Sequence, residues 1–324
     1  MNGRRLRYLI TGGAGFIGSH LAEQLADSGC GVTVLDKRIP EAEPDPRVDW
    51  LEGDILDESL VGRLVERHDG VFHLAALLGV RRTMAEPAAM VENNLLGTLH
   101  VLRAARREGK KVVFASTSEA YGKAEPPFRE DMDLLFGPTQ KLRWSYAIGK
   151  TLEEVLCLGY ARKGLPVTVI RYFNVYGPRQ KTGAYGGVVA KFILAALRGD
   201  DITVYGDGSQ TRCFTYVRDA AEGTISAMKR EADGQVVNIG SRTEISIREL
   251  AEAVKRLTGS SSPIVTVPYG EVFPPGFEEV PRRVPDMAKA ESLLGFRPRI
   301  PLEAGLGETI AWFRERPRRG SGRL

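Results

Sequence analysis

The sequence predicts an α/β protein, a doubly wound parallel sheet followed by a smaller C-terminal α/β lobe. Three observations carry that prediction. An apolar run, Tyr8-Leu9-Ile10, breaks at a glycine turn and restarts with helical spacing as Ser19-His20-Leu21-Ala22-Glu23-Gln24-Leu25. A second short run, Gly31-Val32-Thr33-Val34-Leu35, ends in the acid Asp36. From Leu6 to about Val175, short apolar runs go on alternating with longer segments of helical periodicity, as strands joined by crossover helices do.

The first of these units reads as strand, phosphate loop and helix, the Rossmann-type opening, with glycines at 12, 15 and 18. Gly12 permits the tight turn, Gly15 lets the backbone approach a pyrophosphate, and Gly18 lets the helix pack closely, so that the helix N-terminus can take negative charge. Asp36 stands 18 residues beyond Gly18, placed to accept a hydrogen bond from a ribose 2′-hydroxyl and to repel a 2′-phosphate. The expected cofactor is therefore NAD rather than NADP, although Lys37 and Arg38 beside it are compatible with a phosphate.

Val71-Phe72-His73-Leu74, Lys111-Val112-Val113-Phe114-Ala115 and Val167-Thr168-Val169-Ile170-Arg171 read as buried parallel strands. Between them, Thr83 to Arg107 and Ser145 to Arg162 carry apolar residues at helical spacing, with Gly109 and Gly164 as stops. After Gly177-Pro178 the pattern loosens. Helices are expected near Val188 to Leu197, Val217 to Met228, Ser246 to Leu257 and Leu302 to Phe313, broken by proline-rich stretches such as Val272 to Pro275. The chain divides into a dinucleotide-binding domain at 1–178, a lobe closing over the ligand at 179–316, with room for the chain to cross back to the first domain, and a basic tail at 317–324.

With 43% hydrophobic and 27% charged residues, the 324-residue chain can bury a sizeable core. Its 45 basic and 41 acidic residues are spread along the chain except in the terminal Arg314 to Arg323 segment, which has no aromatic residues interleaved with its charges, so no nucleic-acid partner is expected. No run reaches the ~20 apolar residues of a membrane span, and Tyr8-Leu9-Ile10 is too short for the core of a signal peptide. Cys30, Cys157 and Cys213 lie far apart, which fits a reduced, cytoplasmic setting. His20, His68, His73 and His100 never fall in a ligand spacing, so no metal site is expected, and His73 reads as a core histidine.

Chemistry gathers after the strand at Lys111 to Ala115. Ser116-Thr117-Ser118-Glu119-Ala120-Tyr121-Gly122 is followed by Tyr146-Ala147-Ile148-Gly149-Lys150, whose tyrosine and lysine share one helical face a turn apart. A tyrosine with its ordinary pKa near ~10 is a poor base at neutral pH, and a nearby ammonium favours the phenolate. Tyr146 is thus the candidate base for a hydroxyl proton. Lys150 is expected to lower its pKa and to hold the nicotinamide ribose, and Thr117 to hydrogen-bond the reacting oxygen.

These residues resemble the landmarks of the extended short-chain dehydrogenase/reductases that act on nucleotide sugars, from Leu6 to about Phe313. The landmarks are Thr11 to Gly18, Gly53-Asp54-Ile55, His73-Leu74-Ala75-Ala76, Asn94-Leu95-Leu96-Gly97-Thr98, the Tyr146/Lys150 pair and Phe173-Asn174-Val175-Tyr176-Gly177-Pro178-Arg179. The resemblance implies that Gly12, Gly15, Phe16, Ile17 and Asp36 contact the cofactor, that Asp54 and Ile55 flank its adenine, and that Ala75 lies beside it. It also implies that Asn174 meets the phosphate side of the substrate, and that the helices at Thr83 to Arg107 and Ser145 to Arg162 form a homodimer interface.

Within that family, Thr117-Ser118-Glu119 is similar to the Thr-Ser-Glu of the UDP-glucuronate decarboxylases, the UDP-xylose synthase-like branch. Hexose 4,6-dehydratases carry an aspartate where Ser118 stands. Arg143-Trp144-Ser145-Tyr146, Gly208-Ser209-Gln210-Thr211-Arg212-Cys213-Phe214 and Arg282-Arg283-Val284-Pro285-Asp286 are also close to the decarboxylase pattern. Arg212 and Arg283 read independently as diphosphate clamps, because guanidinium forks match phosphate oxygens. Arg179 and Arg81 are candidates to hold a sugar carboxylate.

The implied reaction is oxidation of a UDP-hexuronate at carbon 4 by NAD, loss of carbon dioxide from carbon 5, reprotonation there by Glu119 or a water it orients, and reduction. The alternative is a 4-epimerase acting on UDP-glucose or UDP-glucuronate. A more distant one is a nonenzymatic nucleotide-sugar or NAD-binding protein, which would be expected to have lost one of Thr117, Tyr146 and Lys150.

Overall fold

The strands β1 (Arg7–Thr11), β2 (Gly31–Asp36), β3 (Val48–Glu52), β4 (Gly70–His73), β5 (Lys111–Thr117) and β6 (Val167–Tyr172) alternate with α1 (Phe16–Asp27), α2 (Glu58–Glu66), α3 (Pro87–Glu108) and α4 (Ser145–Ala161). The computed structural model describes residues 5–40, 44–78, 85–182, 187–273 and 278–315. Arg81, the expected helix start at Thr83, Pro274-Pro275 and the basic tail at 317–324 lie outside the described residues.

Leu9, Ile10, Val71, Phe72, Val112, Val113, Val167 and Val169 are buried, as strands covered by helices on both faces require. β3 has no such run: Asp49, Leu51 and Glu52 are exposed on an edge strand, which is why apolar patterning passed it over. Pro87 opens α3 and Gly109, in the left-handed conformation, closes it. α4 ends at Ala161, three residues before Gly164.

The C-terminal half contributes β7 (Val175–Tyr176), α5 (Val188–Arg198), β8 (Ile202–Tyr205), β9 (Thr211–Cys213), β10 (Thr215–Tyr216), α6 (Val217–Ser226), β11 (Val236–Ile239), β12 (Glu244–Ser246), α7 (Ile247–Thr258), β13 (Ile264–Val267), α8 (Tyr269–Val272), β14 (Arg282–Arg283) and α9 (Leu302–Glu315). Two of these elements belong with the first half. β11 pairs with β6, completing a seven-stranded parallel sheet in the order β11-β6-β5-β4-β1-β2-β3, and α6 packs on α1. This is a Rossmann-like doubly wound sheet whose order reverses between β1 and β4, where a ligand crevice opens at the carboxyl ends of the strands.

The remaining elements form the smaller lobe around its own core, with Phe192, Ile193, Leu250, Val254, Leu306 and Ile310 at its centre. A capping box of Ser246 and Glu249 starts α7. β9 is flanked by β12 and β14, and the parallel register of β14 on β9 sets Arg283 opposite Arg212. Two arginines 71 residues apart thereby become neighbours, and Arg283 reaches Glu119 just past the end of β5.

Candidate active site

The β1–α1 turn is built for backbone approach. Gly12 has φ +73°, and a Cβ there would lie 2.6 Å from the backbone nitrogen of Ala75. At Gly18 a Cβ would lie 2.6 Å from the Gly12 carbonyl oxygen, and at Gly15 3.0 Å from the same atom. The first turn of α1, which begins with Phe16 and Ile17, has neither a capping side chain nor an acidic residue. Its orphan N–H groups fit a diphosphate. Asp36, at the end of β2, accepts from the Ala14 N–H at 3.1 Å. Burial raises its pKa, opposed by the backbone N–H groups of Ala14, Arg38 and Lys37. Farther along the crevice, Asp54 pairs with Lys37 at 2.9 Å and Ile55 is buried against Gly97. These residues fit a dinucleotide such as NAD.

β5 delivers Thr117 to the crevice, where its hydroxyl oxygen accepts from the Glu119 N–H at 3.2 Å and caps the short 3₁₀ turn Ser118–Tyr121. The hydroxyl proton stays free to donate to a substrate oxygen. Ser118 is buried beside it. Glu119 turns inward between two buried arginines, Arg283 of β14, whose Nη1 it accepts, and Arg143, whose Nη2 lies 2.9 Å away. Burial alone would raise the Glu119 carboxyl, but the two guanidinium groups outweigh it and hold the group well below the usual carboxylate range. Glu119 is therefore a fixed anion with no proton to give carbon 5 at neutral pH, which corrects the expectation that it acts as the donor itself.

Tyr146 sits in the first turn of α4 and Lys150 one turn on. The expectation that Lys150 lowers the Tyr146 pKa is not met in this structure. The Lys150 ammonium pairs with Glu153 Oε2 at 3.2 Å and lies 4.3 Å from the centre of the Phe114 ring. The phenol is held well above its ordinary range, first by burial and then by the carboxylates of Glu153 and Glu119.

Toward the smaller lobe a cavity of about 350 Å³ is lined by Asn174, Lys191, Tyr205, Arg212, Tyr269 and Glu279 among others. Asn174 holds φ +33°, uncommon for a residue with a side chain. Arg212 pairs with Glu279 and donates to the Thr211 carbonyl at 2.7 Å. Burial and the facing charge of Arg283 lower its pKa, an environment that an anionic ligand relieves. The structure thus brings Thr117, Ser118, Glu119 and Arg283 together, with Arg212 beside Arg283. It turns Arg179 elsewhere, onto Glu23 of α1 at 2.5 Å, while the neighbouring Pro178 carbonyl meets His20 Nε2 at 3.0 Å.

In the sequence Arg143 stands out only as part of a motif, and neither Glu153 nor Glu279 stands out. Glu153 could have been found, since residues three apart on a helix meet. The pairing of Arg212 with Glu279 depends on where β14 lies against β9, which no local signal reports.

Comparison with known proteins places this geometry. The profile of the NAD dependent epimerase/dehydratase family matches residues 8–240. A UDP-N-acetyl-alpha-D-glucosaminuronate decarboxylase of Bacillus cytotoxicus is 56% identical over 95% of this chain and 98% of its own length. UDP-glucuronic acid decarboxylase 1 of Xenopus tropicalis is 37% identical over 96% of this chain and 73% of its own. Among solved structures, a UDP-glucose 4-epimerase of Thermotoga maritima superposes with a TM-score of 0.85 at 34% identity, covering 96% of this chain and 99% of that one.

Proposed function

This chain belongs to the NAD-dependent epimerase/dehydratase family, and on that premise we propose that it decarboxylates a UDP-hexuronate, with UDP-N-acetylglucosaminuronate as the preferred substrate over UDP-glucuronate. The observation that carries the reading is the 56% identity, across nearly the full length of both chains, to a decarboxylase named for that sugar, against 37% to a UDP-glucuronic acid decarboxylase.

Residues 1–178 hold NAD, whose bound form supplies the reversible oxidation at sugar carbon 4. Residues 179–316 hold the nucleotide sugar, with Arg212 as its diphosphate clamp and Asn174 on the phosphate side, while Arg283, expected as a second clamp, is drawn instead to Glu119. Tyr146 accepts the proton of the 4-hydroxyl as the phenolate, a form that the cationic nicotinamide of bound NAD would favour over the neutral phenol. Thr117 donates to the same oxygen, and Lys150 fixes the nicotinamide ribose. The 4-ketone is β to the carboxylate on carbon 5, so the carbon–carbon bond breaks with its electrons entering the carbonyl. Glu119, as a fixed anion, orients the water that reprotonates carbon 5. Ser118, buried beside Thr117, contacts the sugar.

Arg143 and Arg283 around a single carboxylate leave one net positive charge at this end of the crevice. That charge is a better partner for the sugar carboxylate than Arg179, whose guanidinium is engaged by Glu23.

A homodimer is part of the same reading. Of the apolar residues on α3 and α4, Leu102 belongs to the protomer core, but Leu96, Leu152 and Val155 are 46%, 43% and 59% exposed. Light scattering at micromolar concentration should give twice the chain mass, and a monomer mass would overturn this part. The three free cysteines suit a reduced, cytoplasmic setting. Among the described residues no helix is long and apolar enough to cross a membrane.

The test is to supply both UDP-hexuronates labelled at the carboxyl carbon. Label released as carbon dioxide, faster from the N-acetylated sugar, is the expected result. Label retained in a 4-epimer would favour the second reading, a 4-epimerase, which the likeness to the Thermotoga maritima structure supports. No turnover of either sugar would reject the decarboxylase and confine the second reading to a neutral sugar such as UDP-glucose.

A further inference from the structure

Behind the Tyr146/Lys150 pair lies a buried polar chain that the reaction described above does not use. The ammonium of Lys150 and the carboxylate of Glu153 are 3% and 1% exposed, 3.2 Å apart. The same Glu153 Oε2 lies 2.7 Å from the Thr98 hydroxyl on α3. Thr98 Oγ1 is 3.0 Å from His73 Nε2 on β4, and His73 Nδ1 is 2.6 Å from Thr11 Oγ1, in the last residue of β1 before the glycine turn.

The directions of these bonds follow from the carboxylate, which can only accept. Thr98 donates to Glu153, so its oxygen is left to receive the Nε2–H of His73. Nδ1 must then be the acceptor for the Thr11 hydroxyl. Every donor points toward Glu153, and the imidazole is neutral: burial, with the charge of Lys150, lowers the His73 pKa to about 3. The second carboxylate oxygen, Oε1, is buried with no hydrogen-bond partner among the described residues. One oxygen meets both Thr98 and the buried ammonium of Lys150 while the other makes no bond among the described residues, so the leading interaction of Glu153 is its charge against Lys150.

We propose that Glu153 is a positioning residue that anchors the Lys150 ammonium and offsets its field, so that its charge sets the protonation of Tyr146. The proposal rests on the reading of Tyr146 and Lys150 as the proton-transfer pair. Other charges also face this pair. Glu154, on the same helix, is taken up by Arg171 of β6 and Ser116 of β5. Glu119 is taken up by Arg283 and Arg143. His73 is neutral, and burial raises the Cys157 thiol well above its ordinary range. Glu153 is the carboxylate in direct contact with Lys150, and after burial it is the leading cause that keeps the phenol protonated.

The test reads Tyr146 without any substrate. Ultraviolet difference spectra of the free protein against Tyr146→Phe isolate this ionisation from the nine other tyrosines. Glu153→Gln keeps the shape of the side chain and an acceptor for Thr98 while removing the charge. It should give about tenfold more phenolate at a fixed alkaline pH, the equivalent of one pH unit. The acid limb of the kcat profile should move to lower pH by a similar step, with KM changed less than about threefold, whereas a merely structural loss would lower kcat at all pH values without moving the limb.

Should Glu153→Gln not fold, Glu153→Asp keeps the charge but draws it back by one methylene, and it should move both readouts in the same direction by a smaller step. A folded variant of either kind whose phenolate signal and acid limb coincide with the parent's would overturn the proposal. Failure of the underlying reading looks different: Tyr146→Phe would then remain active, whatever the phenolate signal of the Glu153 variants does.

Discussion

Glu119→Gln tests the electrostatic core of the site. The substitution removes the one carboxylate between Arg283 and Arg143, whose side chains are 8% and 5% exposed. The glutamine oxygen can still accept from one guanidinium, but its NH₂ then faces the donors of the other. Two buried cations lose their shared counter-charge. Breaking a buried ion pair by removing one partner costs about 3 to 5 kcal/mol, and at about 2 °C per kcal/mol for a chain of this size the melting temperature should fall by about 6 to 10 °C. Calorimetry at neutral pH measures it. Because Arg283 would be released, kcat for carbon dioxide release should fall as well, while NAD affinity, for which the glycine turn and Asp36 are left untouched, should stay within about twofold. A melting temperature within about 1 °C of the parent would show that Glu119 carries no such charge, and the assignment of a fixed anion would be wrong.

Three further outcomes follow from other parts of the molecule. Tyr146→Phe should lower kcat by about 100 to 10,000-fold and leave NAD binding intact by calorimetry, since it removes a single oxygen. Gly12→Ala puts a methyl 2.6 Å from the Ala75 backbone at φ +73°, so NAD affinity should drop at least about tenfold, and unchanged binding would mean the loop does not approach the cofactor. His73 has a folded pKa of about 3 against 6.5 for an ordinary histidine. The unfolded chain therefore binds the extra proton first: the contribution of His73 is complete above pH 6.5 and is lost as pH falls toward 3, by up to about 4 to 5 kcal/mol. Urea titrations from pH 7 to 4 should show a flatter pH dependence for His73→Gln than for the parent, and parallel curves would contradict it.

The parts of this molecule legible in its sequence are those fixed by neighbours along the chain. Gly12, Gly15 and Gly18 report a turn because backbone conformation is local, and the Lys111 and Val167 runs report strands because burial on both faces leaves no polar alternation. Tyr146 and Lys150 are set a turn apart by helix geometry alone. Electrostatics is not local. The expectation that Lys150 would lower the Tyr146 pKa weighed one charge, whereas the folded chain adds Glu153 from three residues on and Glu119 from another element. The pairing of Arg283 with Glu119 spans 164 residues and that of Arg179 with Glu23 spans 156, so each depends on tertiary structure that periodicity cannot report. β11 is a short run like many others, and only its pairing with β6 shows that it leaves the smaller lobe for the main sheet.

The charge states of Thr117, which ends β5, and of the two residues after it bear on which reaction the site can run. Expelling a hydroxyl from a sugar requires a proton donor at the leaving oxygen. Of Thr117, Ser118 and Glu119, the first two are alcohols, and the third is held ionised by Arg283 and Arg143. None offers a labile proton at neutral pH, which argues against dehydration on physical grounds, apart from any likeness to other proteins. Decarboxylation makes no such demand, since carbon dioxide leaves without protonation and needs only an adjacent ketone and alignment of the breaking bond with it. Epimerisation needs no acid either. It does require the ketone to turn over within the site, and a sugar whose carboxylate is drawn to guanidinium groups themselves pinned by Glu119 would be restrained from turning. In Glu119→Gln that pinning is relaxed, so any 4-epimer formed as a side product should rise relative to carbon dioxide. An unchanged product ratio in that variant would mean that Glu119 does not govern the orientation of the sugar.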